Sequence, residues 1–113
     1  MKPITTKLRG VTFRDAQENI KKFGCKDIGT YGLVREPENP HDSNAIRVVL
    51  LGKFFMGYVP KEIAKELAPL MDSGRTFLAY FVKVNRPLNK GPIGLTVEVR
   101  EELPEKARVG HQG

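Results

Sequence analysis

The sequence predicts a mainly β protein with two helices, folded as one small antiparallel barrel. Of its 113 residues 40% are hydrophobic, which is enough for one packed core and too little for two. The chain has 11 Gly and 8 Pro, above the average rate, which favours short elements joined by many turns. The apolar patterns follow the order β-α-β-β-β-α-β-β, for which a small antiparallel barrel is the economical arrangement.

The first two elements are a strand and a short helix. Residues 4–13 begin with β-branched side chains and predict a strand, in which Gly10 marks a bulge. Residues 15–23 predict a helix, because Asp15 is a good N-cap and Glu18 follows three residues later, as in a capping box. Gly24 is expected to end that helix.

The middle of the chain predicts a strand followed by a hairpin. Residues 28–36 form the strand, which Pro37 ends because it has no N–H for the ladder. Residues 45–51 and 54–59 form the hairpin, joined by a type II′ turn at Gly52-Lys53. Both arms are apolar on both faces, which predicts a central, well-covered position in the sheet.

The last third predicts a helix, a second hairpin and a tail. Pro60 at the first helical position begins the helix, Gly74 ends it, and Pro69 predicts a kink or a loosened last turn. Residues 76–85 and 93–100 form the hairpin, and apolar residues alternate along its second arm. Residues 102–113 have too little apolar content to pack, so we expect one domain at 1–101 followed by a disordered tail.

Charge and cysteine content narrow the classes of function. The chain has 19 Lys+Arg and 13 Asp+Glu, a net charge of +6, which favours phosphate-bearing or acidic partners. A single cysteine, Cys25, excludes an internal disulfide and a thiolate metal cage, and we expect a reducing, cytoplasmic location. No apolar run approaches the roughly 18 residues of a membrane span, and the first nine residues lack a secretory pattern, so no membrane partner is expected.

The sequence carries no arrangement typical of an enzyme. The candidate nucleophiles are Cys25, Ser43 and Ser73, and the candidate bases are His41 and His111. The adjacent residues His41-Asp42-Ser43 have catalytic side chains, but three consecutive residues cannot all converge on one reacting atom. His41 and Asp42 have no spaced partner for a metal, and no glycine-rich phosphate loop is present. We therefore expect a protein that is not an enzyme and binds neither a metal nor a cofactor.

Two motifs at a fixed spacing identify a family. Residues 34–46 read Val-Arg-Glu-Pro-Glu-Asn-Pro-His-Asp-Ser-Asn-Ala-Ile, and residues 56–64 read Met-Gly-Tyr-Val-Pro-Lys-Glu-Ile-Ala. Together they closely resemble the HIRAN domain, over about residues 5–100, and the chain looks like the standalone members of bacteria and phages. The resemblance implies an OB-like or SH3-like β-barrel with added helices. It also implies a module that captures single-stranded DNA ends and requires a free 3′-hydroxyl, as in members fused to fork-remodelling helicases.

The resemblance places three site residues in the acidic loop. The family supplies an Asn, an aromatic residue and an Asp around the terminal nucleotide, and these positions correspond to Asn39, His41 and Asp42, with His41 in place of the usual Tyr. An aspartate accepts a hydrogen bond from a 3′-hydroxyl and repels a 3′-phosphate. Asn39 can pair with a base edge or sugar, and His41 can stack.

Five further residues are candidates for DNA contact. Tyr58 and Lys61 correspond to a family pair that contacts phosphate or base where the second helix begins, and the helix dipole favours an anion there. DNA-binding members carry an Arg and two aromatic residues in the first strand, where this chain has Thr12-Phe13-Arg14. Phe13 is then a stacking candidate, and Arg14 and Arg35 are phosphate candidates. Burial of Phe13 and Tyr58 in the core is the alternative.

These observations favour a DNA-binding module that engages single-stranded or frayed 3′ ends in DNA repair or replication restart. The alternative is a protein-interaction adaptor that keeps the barrel without end recognition, which the altered first strand allows. A third reading is the DNA-targeting subunit of a separately encoded helicase or nuclease. The sequence leaves the oligomeric state and the base preference open.

Overall fold

The computed structural model describes residues 1–103. It confirms the mainly β class with two helices and the predicted order of elements. The strands and helices are β1 (Ile4–Lys7), α1 (Ala16–Phe23), β2 (Thr30–Arg35), β3 (Ile46–Leu50), β4 (Phe54–Tyr58), α2 (Lys61–Asp72), β5 (Thr76–Asn85) and β6 (Gly94–Glu102).

The six strands form one curled antiparallel sheet in the order β1-β6-β5-β2-β3-β4. The two ends of this half-barrel meet through one backbone bridge. The N–H of Arg9 donates to the carbonyl of Tyr58 at 2.8 Å, and the N–H of Tyr58 donates to the carbonyl of Arg9 at 2.7 Å. The bridge therefore holds the segment that follows β1 against the end of β4.

The hairpin of β3 and β4 is only partly central, contrary to the sequence prediction. β3 lies between β2 and β4, whereas β4 is the last strand of the ladder. β4 is apolar on both faces because α1 covers it: the buried Asn19 amide donates to the Phe55 carbonyl at 2.8 Å, and the ring centroids of Phe23 and Phe54 are 4.7 Å apart. A covering helix produces the same apolar pattern as a central strand.

One hydrophobic core fills the curl of the sheet. It contains inward-facing residues of β2 to β6, one residue of α1 and the buried stripe of α2. Its largest fully buried side chains are Tyr31, Ile20, Ile46, Met56, Leu67, Leu95, Val48, Val97 and Val99. The apolar face predicted for the last strand is confirmed by the burial of Leu95, Val97 and Val99, but Thr96, expected on the solvent face, is also buried.

The first strand is shorter than the sequence predicts. β1 ends at Lys7, and residues 11–15 form turns instead of continuing the strand to residue 13. Gly10 has a φ of +63°, and the N–H of Phe13 donates to its carbonyl at 3.1 Å, so Gly10 opens a turn and makes no bulge. The chain reverses here because α1 must return across β4.

The predicted capping box of α1 is absent. The Asp15 side chain makes no capping hydrogen bond, and its backbone carbonyl accepts the N–H of Asn19 at 2.9 Å. Glu18 pairs instead with Lys22, at 3.6 Å, on the exposed face of the helix. Gly24 ends the helix as predicted.

The β3–β4 turn differs in type from the prediction. The N–H of Lys53 donates to the carbonyl of Leu50 at 3.0 Å, so the central residues are Leu51 and Gly52, one position earlier than expected. Both have positive φ, +55° and +67°, which is the pattern of a type I′ turn.

Two element ends also differ from expectation. Pro60 is the N-cap of α2 instead of its first residue, while the helix runs through Pro69 to Asp72 and so ends just before Gly74, as predicted. β6 runs to Glu102, one residue past the predicted end of the domain. The disordered tail predicted at 102–113 lies, from residue 104 onward, outside the described residues.

Candidate nucleic-acid interface

A cleft of about 820 Å³ opens between a loop wall (residues 36–44) and a turn wall (residues 9–14), beside the end of β4 and the start of α2. We call it the main cleft, and its lining residues are Arg9, Gly10, Phe13, Arg14, Asn39, His41, Asp42, Ala45, Tyr58, Val59, Lys61 and Glu62. Seven of the eight site residues expected from the sequence line it; the eighth, Arg35, lies outside.

Two aromatic side chains of the main cleft share one surface. A Cβ atom on Gly10 would lie 3.0 Å from Cδ2 of Tyr58 and 3.1 Å from Cδ2 of Phe13. Only glycine leaves room for both rings at this point. Phe13 is 59% exposed, so it is not a core residue, and Tyr58 is half-buried with its ring edge-on to Phe55 at 5.2 Å. Phe13 thus offers an open ring face to the cleft.

Contacts distant in sequence hold the turn wall in place. Gly57 has a φ of +147°, and a Cβ there would lie 2.9 Å from the Arg9 carbonyl oxygen, so glycine permits the Arg9 bridge. The Gln17 amide donates to the carbonyls of Val11 and Ile93, each at 2.8 Å, and accepts the Ile93 N–H at 2.9 Å. The wall is therefore tied both to β4 and to the start of β6.

The loop wall is held by its own side chains. Oδ1 of Asn39 accepts the backbone N–H groups of His41 at 2.9 Å and of Asp42 at 3.2 Å. Oδ1 of Asp42 accepts the N–H of Asn44 at 2.9 Å. These are Asx turns, in which a side chain takes the place of a backbone acceptor. Asn39 is thus first a loop-forming residue, and one N–H of its amide remains available to a ligand.

Two side chains of the loop wall keep unused polar atoms. Oδ2 of Asp42 accepts no hydrogen bond from any residue in 1–103, although Oδ1 is engaged. The imidazole of His41 is exposed and likewise makes no hydrogen bond within the described part of the chain. A carboxylate oxygen and an exposed ring are thus available beside Phe13.

Glu36 is the centre of the polar network, and sequence reasoning missed it. Its Oε1 accepts the Tyr58 hydroxyl and the Asn39 amide, both at 2.9 Å. Its Oε2 accepts Nη1 of Arg47 at 3.2 Å and faces Nη2 of Arg14 at 3.9 Å. The sequence marked Glu36 only as part of a loop motif. Besides Asn39 of the same loop, its partners come from three other segments of the chain, which no local signal brings together.

The network shifts the pKa of both of its acids. Burial alone would raise the pKa of Glu36, but the three hydrogen bonds that its carboxylate accepts outweigh burial, and the pKa lies below its usual value. The pKa of Tyr58 is raised, first by burial and then by its bond to Glu36. Glu36 is therefore charged at neutral pH, and Tyr58 keeps its proton.

Cationic side chains lie around the rings of Phe13 and Tyr58. Lys61 is the exposed first residue of α2, where the first backbone N–H groups of a helix lack partners and favour an anion. The guanidinium of Arg14 lies 4.9 Å above the Phe55 ring, and Arg14 adopts a φ of +49°. Arg9 is exposed beside them, and Glu62 is the opposing charge at the helix start.

Arg35, predicted as a phosphate contact, is engaged inside the protein. Its Nε and Nη2 donate to the Asp72 carboxylate at 3.0 and 3.1 Å, and its Nη1 donates to the Ala45 carbonyl at 2.9 Å. Hydrogen bonds from Arg35 hold the pKa of Asp72 below its usual value. Arg35 thus ties the end of β2 to the last turn of α2.

A smaller groove of about 480 Å³ adjoins the loop wall. We call it the second groove, and its lining residues are Arg14, Arg35, Glu36, Pro37, Glu38, Asn39, Pro40 and Arg47. Arg14 and Asn39 line both cavities. Nothing in the sequence singles out Arg47, because one arginine in an apolar strand resembles an ordinary surface charge.

Residues 1–103 contain neither a metal-binding cluster nor a membrane-spanning helix. No group of three or more His, Cys, Asp or Glu side chains in this part of the chain is placed to hold a metal ion. Neither of the two helices there is long and apolar enough to cross a membrane.

Parts of much longer proteins resemble this chain. A Fanconi-associated nuclease 1 homolog of Oryza sativa subsp. japonica is 46% identical over 62 residues, which is 52% of this chain and 6% of that protein. A homolog of the same name in Arabidopsis thaliana is 39% identical over 69 residues, 61% of this chain and 7% of that protein. A helicase-like transcription factor of Oryctolagus cuniculus is 49% identical over 41 residues, which is 36% of this chain and 4% of that protein. The chain therefore matches a small fraction of each relative's length.

Two solved structures share the fold. The crystal structure of the HIRAN domain of human HLTF has a TM-score of 0.66 and 20% identity, covering 96% of this chain and 81% of that chain. A crystal structure of a Lactobacillus plantarum protein also has a TM-score of 0.66, with 22% identity, and the match covers 90% of this chain and 98% of that chain. The HIRAN domain family model matches residues 4–102. This match over nearly the whole chain, on a fold shared with a solved HIRAN domain, shows that the chain belongs to the HIRAN domain family.

Proposed function

We propose that this protein is a non-enzymatic DNA-binding module that takes the free 3′-hydroxyl end of a single strand into the main cleft. The observation that carries the proposal is the unused Oδ2 of Asp42 in the same cleft as the exposed ring of Phe13 and the ammonium group of Lys61. An acceptor, a stacking surface and a cation match the three parts of a terminal nucleotide: hydroxyl, base and phosphate.

Asp42 supplies the selectivity for the end. Its Oδ1 is fixed by the Asn44 N–H, which orients Oδ2 for the donor hydrogen of a 3′-hydroxyl. A 3′-phosphate has no such hydrogen and would bring negative charge against the carboxylate. Asp42 thus both contacts the correct end and disfavours the wrong one.

Stacking and phosphate contacts supply the affinity. Phe13 and Tyr58 present rings on one wall, and His41 is exposed on the other. A base stacked on an aromatic side chain contributes roughly 1–3 kcal/mol. Two such contacts, with Lys61 and the start of α2 on a phosphate, support binding in about the micromolar range that weakens with salt.

The family supports a role in DNA repair or replication restart. Relatives that carry a matching segment are named as a nuclease and as a helicase-like transcription factor, and in each the segment is a small part of a long protein. The partners proposed for this chain are therefore single-stranded or frayed DNA ends and a separately encoded helicase or nuclease. Its single cysteine suits a reducing, cytoplasmic location.

Fluorescence anisotropy tests the proposal directly. A ten-nucleotide single strand with a 5′ label and either a 3′-hydroxyl or a 3′-phosphate is titrated at low and moderate salt. We expect tighter binding of the hydroxyl end at both salt concentrations. Equal and strongly salt-sensitive binding of both ends would leave only a basic surface, and no binding at all would favour the adaptor alternative.

The matched variant is Asp42→Asn. It keeps an Oδ1 acceptor for the Asn44 N–H, so the loop stays folded, but replaces Oδ2 by a donor. We expect this variant to lose the preference for the hydroxyl end while still binding DNA. If its preference equals that of the wild type, Asp42 is only a loop residue and the assignment of the 3′ end is wrong.

A further inference from the structure

We propose that the second groove is a phosphate subsite for the same DNA strand, upstream of its 3′ end, and that Arg14 and Arg47 contact the phosphate. The inference rests on the proposed function and extends it. It adds a requirement for strand length and a direction for the strand across the surface.

The two cavities are adjacent. Arg14 and Asn39 belong to the lining of both, so these two residues lie where the main cleft and the second groove are nearest to each other. Asp42 and Lys61 line the main cleft alone. A strand whose terminal nucleotide lies at Asp42 can leave the cleft past Arg14 and enter the groove beside Arg47.

The groove presents cationic groups to solvent although it contains Glu36. Both guanidinium groups approach the same oxygen, Oε2 of Glu36, at 3.2 Å for Arg47 and 3.9 Å for Arg14. The carboxylate is largely shielded, since the Glu36 side chain is 13% exposed against 31% for Arg47 and 56% for Arg14. The open side of this cluster therefore consists of arginine N–H groups.

Most of those N–H groups have no partner. The guanidinium of Arg47 makes one hydrogen bond to residues 1–103, through Nη1 to Glu36, and that of Arg14 makes none. A guanidinium has five N–H donors in a planar fork that matches the oxygens of a phosphate. Glu36 holds the two cations together despite their mutual repulsion, and a phosphate can accept their remaining donors.

The other charged residues of the groove limit the subsite. Arg35 already donates Nε, Nη1 and Nη2 to partners inside the protein, so it contributes little to a ligand. The exposed carboxylate of Glu38 lies on the same groove and repels a further phosphate. The arrangement thus suits about one phosphate at Arg14 and Arg47.

The test compares strand lengths. Oligonucleotides of three, six and ten nucleotides, each with a 5′ label and a 3′-hydroxyl, are titrated by anisotropy with the wild type and with Arg47→Gln, Arg47→Lys and Lys26→Gln. Lys26 is exposed and lines neither cavity, so its variant controls for the loss of one positive charge. Urea unfolding of each variant verifies that it folds.

We expect the wild type to bind six nucleotides more tightly than three. Arg47→Gln should lose about 5- to 10-fold on the longer strands and little on the shortest, and its log-log salt slope should fall by about 0.7, the value for one phosphate on a single strand. Arg47→Lys should retain most of the increase in affinity with strand length, because it keeps the positive charge. Lys26→Gln should bind every length like the wild type.

Four results would overturn the subsite. Binding of all lengths by Arg47→Gln at wild-type affinity would show that the groove holds no DNA. An equal loss at every length would show that Arg47 acts through Glu36 on the main cleft. If the wild type binds three nucleotides with a 3′-hydroxyl preference and gains nothing from length, the subsite fails while the proposed function stands; if it binds no strand, both fail.

Discussion

The two walls of the main cleft are built in opposite ways. The loop wall satisfies its backbone from within, since Asn39 and Asp42 accept three N–H groups that lie two or three residues away. The turn wall depends on distant residues: Arg9 pairs with Tyr58, and Gln17 reaches a carbonyl 76 residues along the chain. The loop wall could form before the sheet closes, whereas the turn wall exists only in the finished fold.

Under the proposed function, this difference suits the two walls to different roles. A loop fixed by its own side chains keeps an Asp42 oxygen in one place, which suits discrimination between two chemical groups. A wall that carries Phe13 on a turn supplies stacking area, which tolerates small displacements. Damage to long-range contacts should therefore cost global stability, and damage to the loop should cost local order.

The largest effect is expected where the turn wall meets β4. Gly57→Ala places a Cβ 2.9 Å from the Arg9 carbonyl oxygen, at a φ of +147° that side chains rarely adopt. We expect a loss of about 2–4 kcal/mol in the free energy of unfolding, measured by urea denaturation. A loss below about 1 kcal/mol would show that the Arg9 bridge does not close the sheet.

The next largest effect is expected in the loop wall. Asn39→Ala removes the acceptor for two backbone N–H groups and the donor to Glu36, for a loss of about 1–3 kcal/mol. Hydrogen exchange should show faster exchange of the His41 and Asp42 amides while strand amides stay protected. Asn44→Ala is the control, because Asn44 serves the loop through its backbone N–H. Equal exchange in both variants would contradict the role of Asn39.

A smaller effect separates backbone strain from ring contact. Gly10→Ala and Gly52→Ala both place a Cβ at positive φ, +63° and +67°, and this backbone strain should cost each about 1 kcal/mol of stability, with a further loss for Gly10→Ala because its Cβ also crowds two rings. Only Gly10 has rings within 4 Å, those of Tyr58 and Phe13. Gly10→Ala alone should therefore weaken single-strand binding in anisotropy. Similar affinities for both variants would argue against the rings of Phe13 and Tyr58 as the DNA-binding surface.

The smallest effect on stability is expected at Glu36, the loop-wall residue that faces Arg14 of the turn wall. The lowered pKa of Glu36 means that its charge stabilises the fold fully above its ordinary pKa, and that this contribution is lost as the pH falls through the lowered value. Urea midpoints of Glu36→Gln should therefore fall less on acidification than those of the wild type. Glu38→Gln, which alters an exposed charge, should follow the wild type.

The same variant has a spectroscopic signature. Glu36 contributes to the raised pKa of Tyr58, so Glu36→Gln should lower the pKa at which Tyr58 ionises. Ultraviolet titration of tyrosinate measures this, with Tyr58→Phe to identify the signal among the three tyrosines. An unchanged Tyr58 titration would show that the hydroxyl does not bond to Glu36 in solution.

Sequence reasoning succeeded where the signal was local. The second hairpin and the stop at Gly24 depend on residues close in the chain, and both are present. It was wrong about the end of the first strand, because Gly10 opens a turn there, and about the β3–β4 turn, because Leu51 adopts a positive φ that a leucine side chain does not signal. Glu36 and Arg47 escaped notice because each looks ordinary in its own segment.

By itself the sequence determined the order of the elements, the family motifs and the residue types of the site, because patterns of two to four residues encode strands, helices and Asx loops. Only the tertiary structure decided that Phe13 faces solvent beside Tyr58, that Arg35 is engaged by Asp72, and that a second groove adjoins the cleft. These facts depend on contacts between residues far apart in the chain, and the curl of the sheet, closed at Arg9, brings them together.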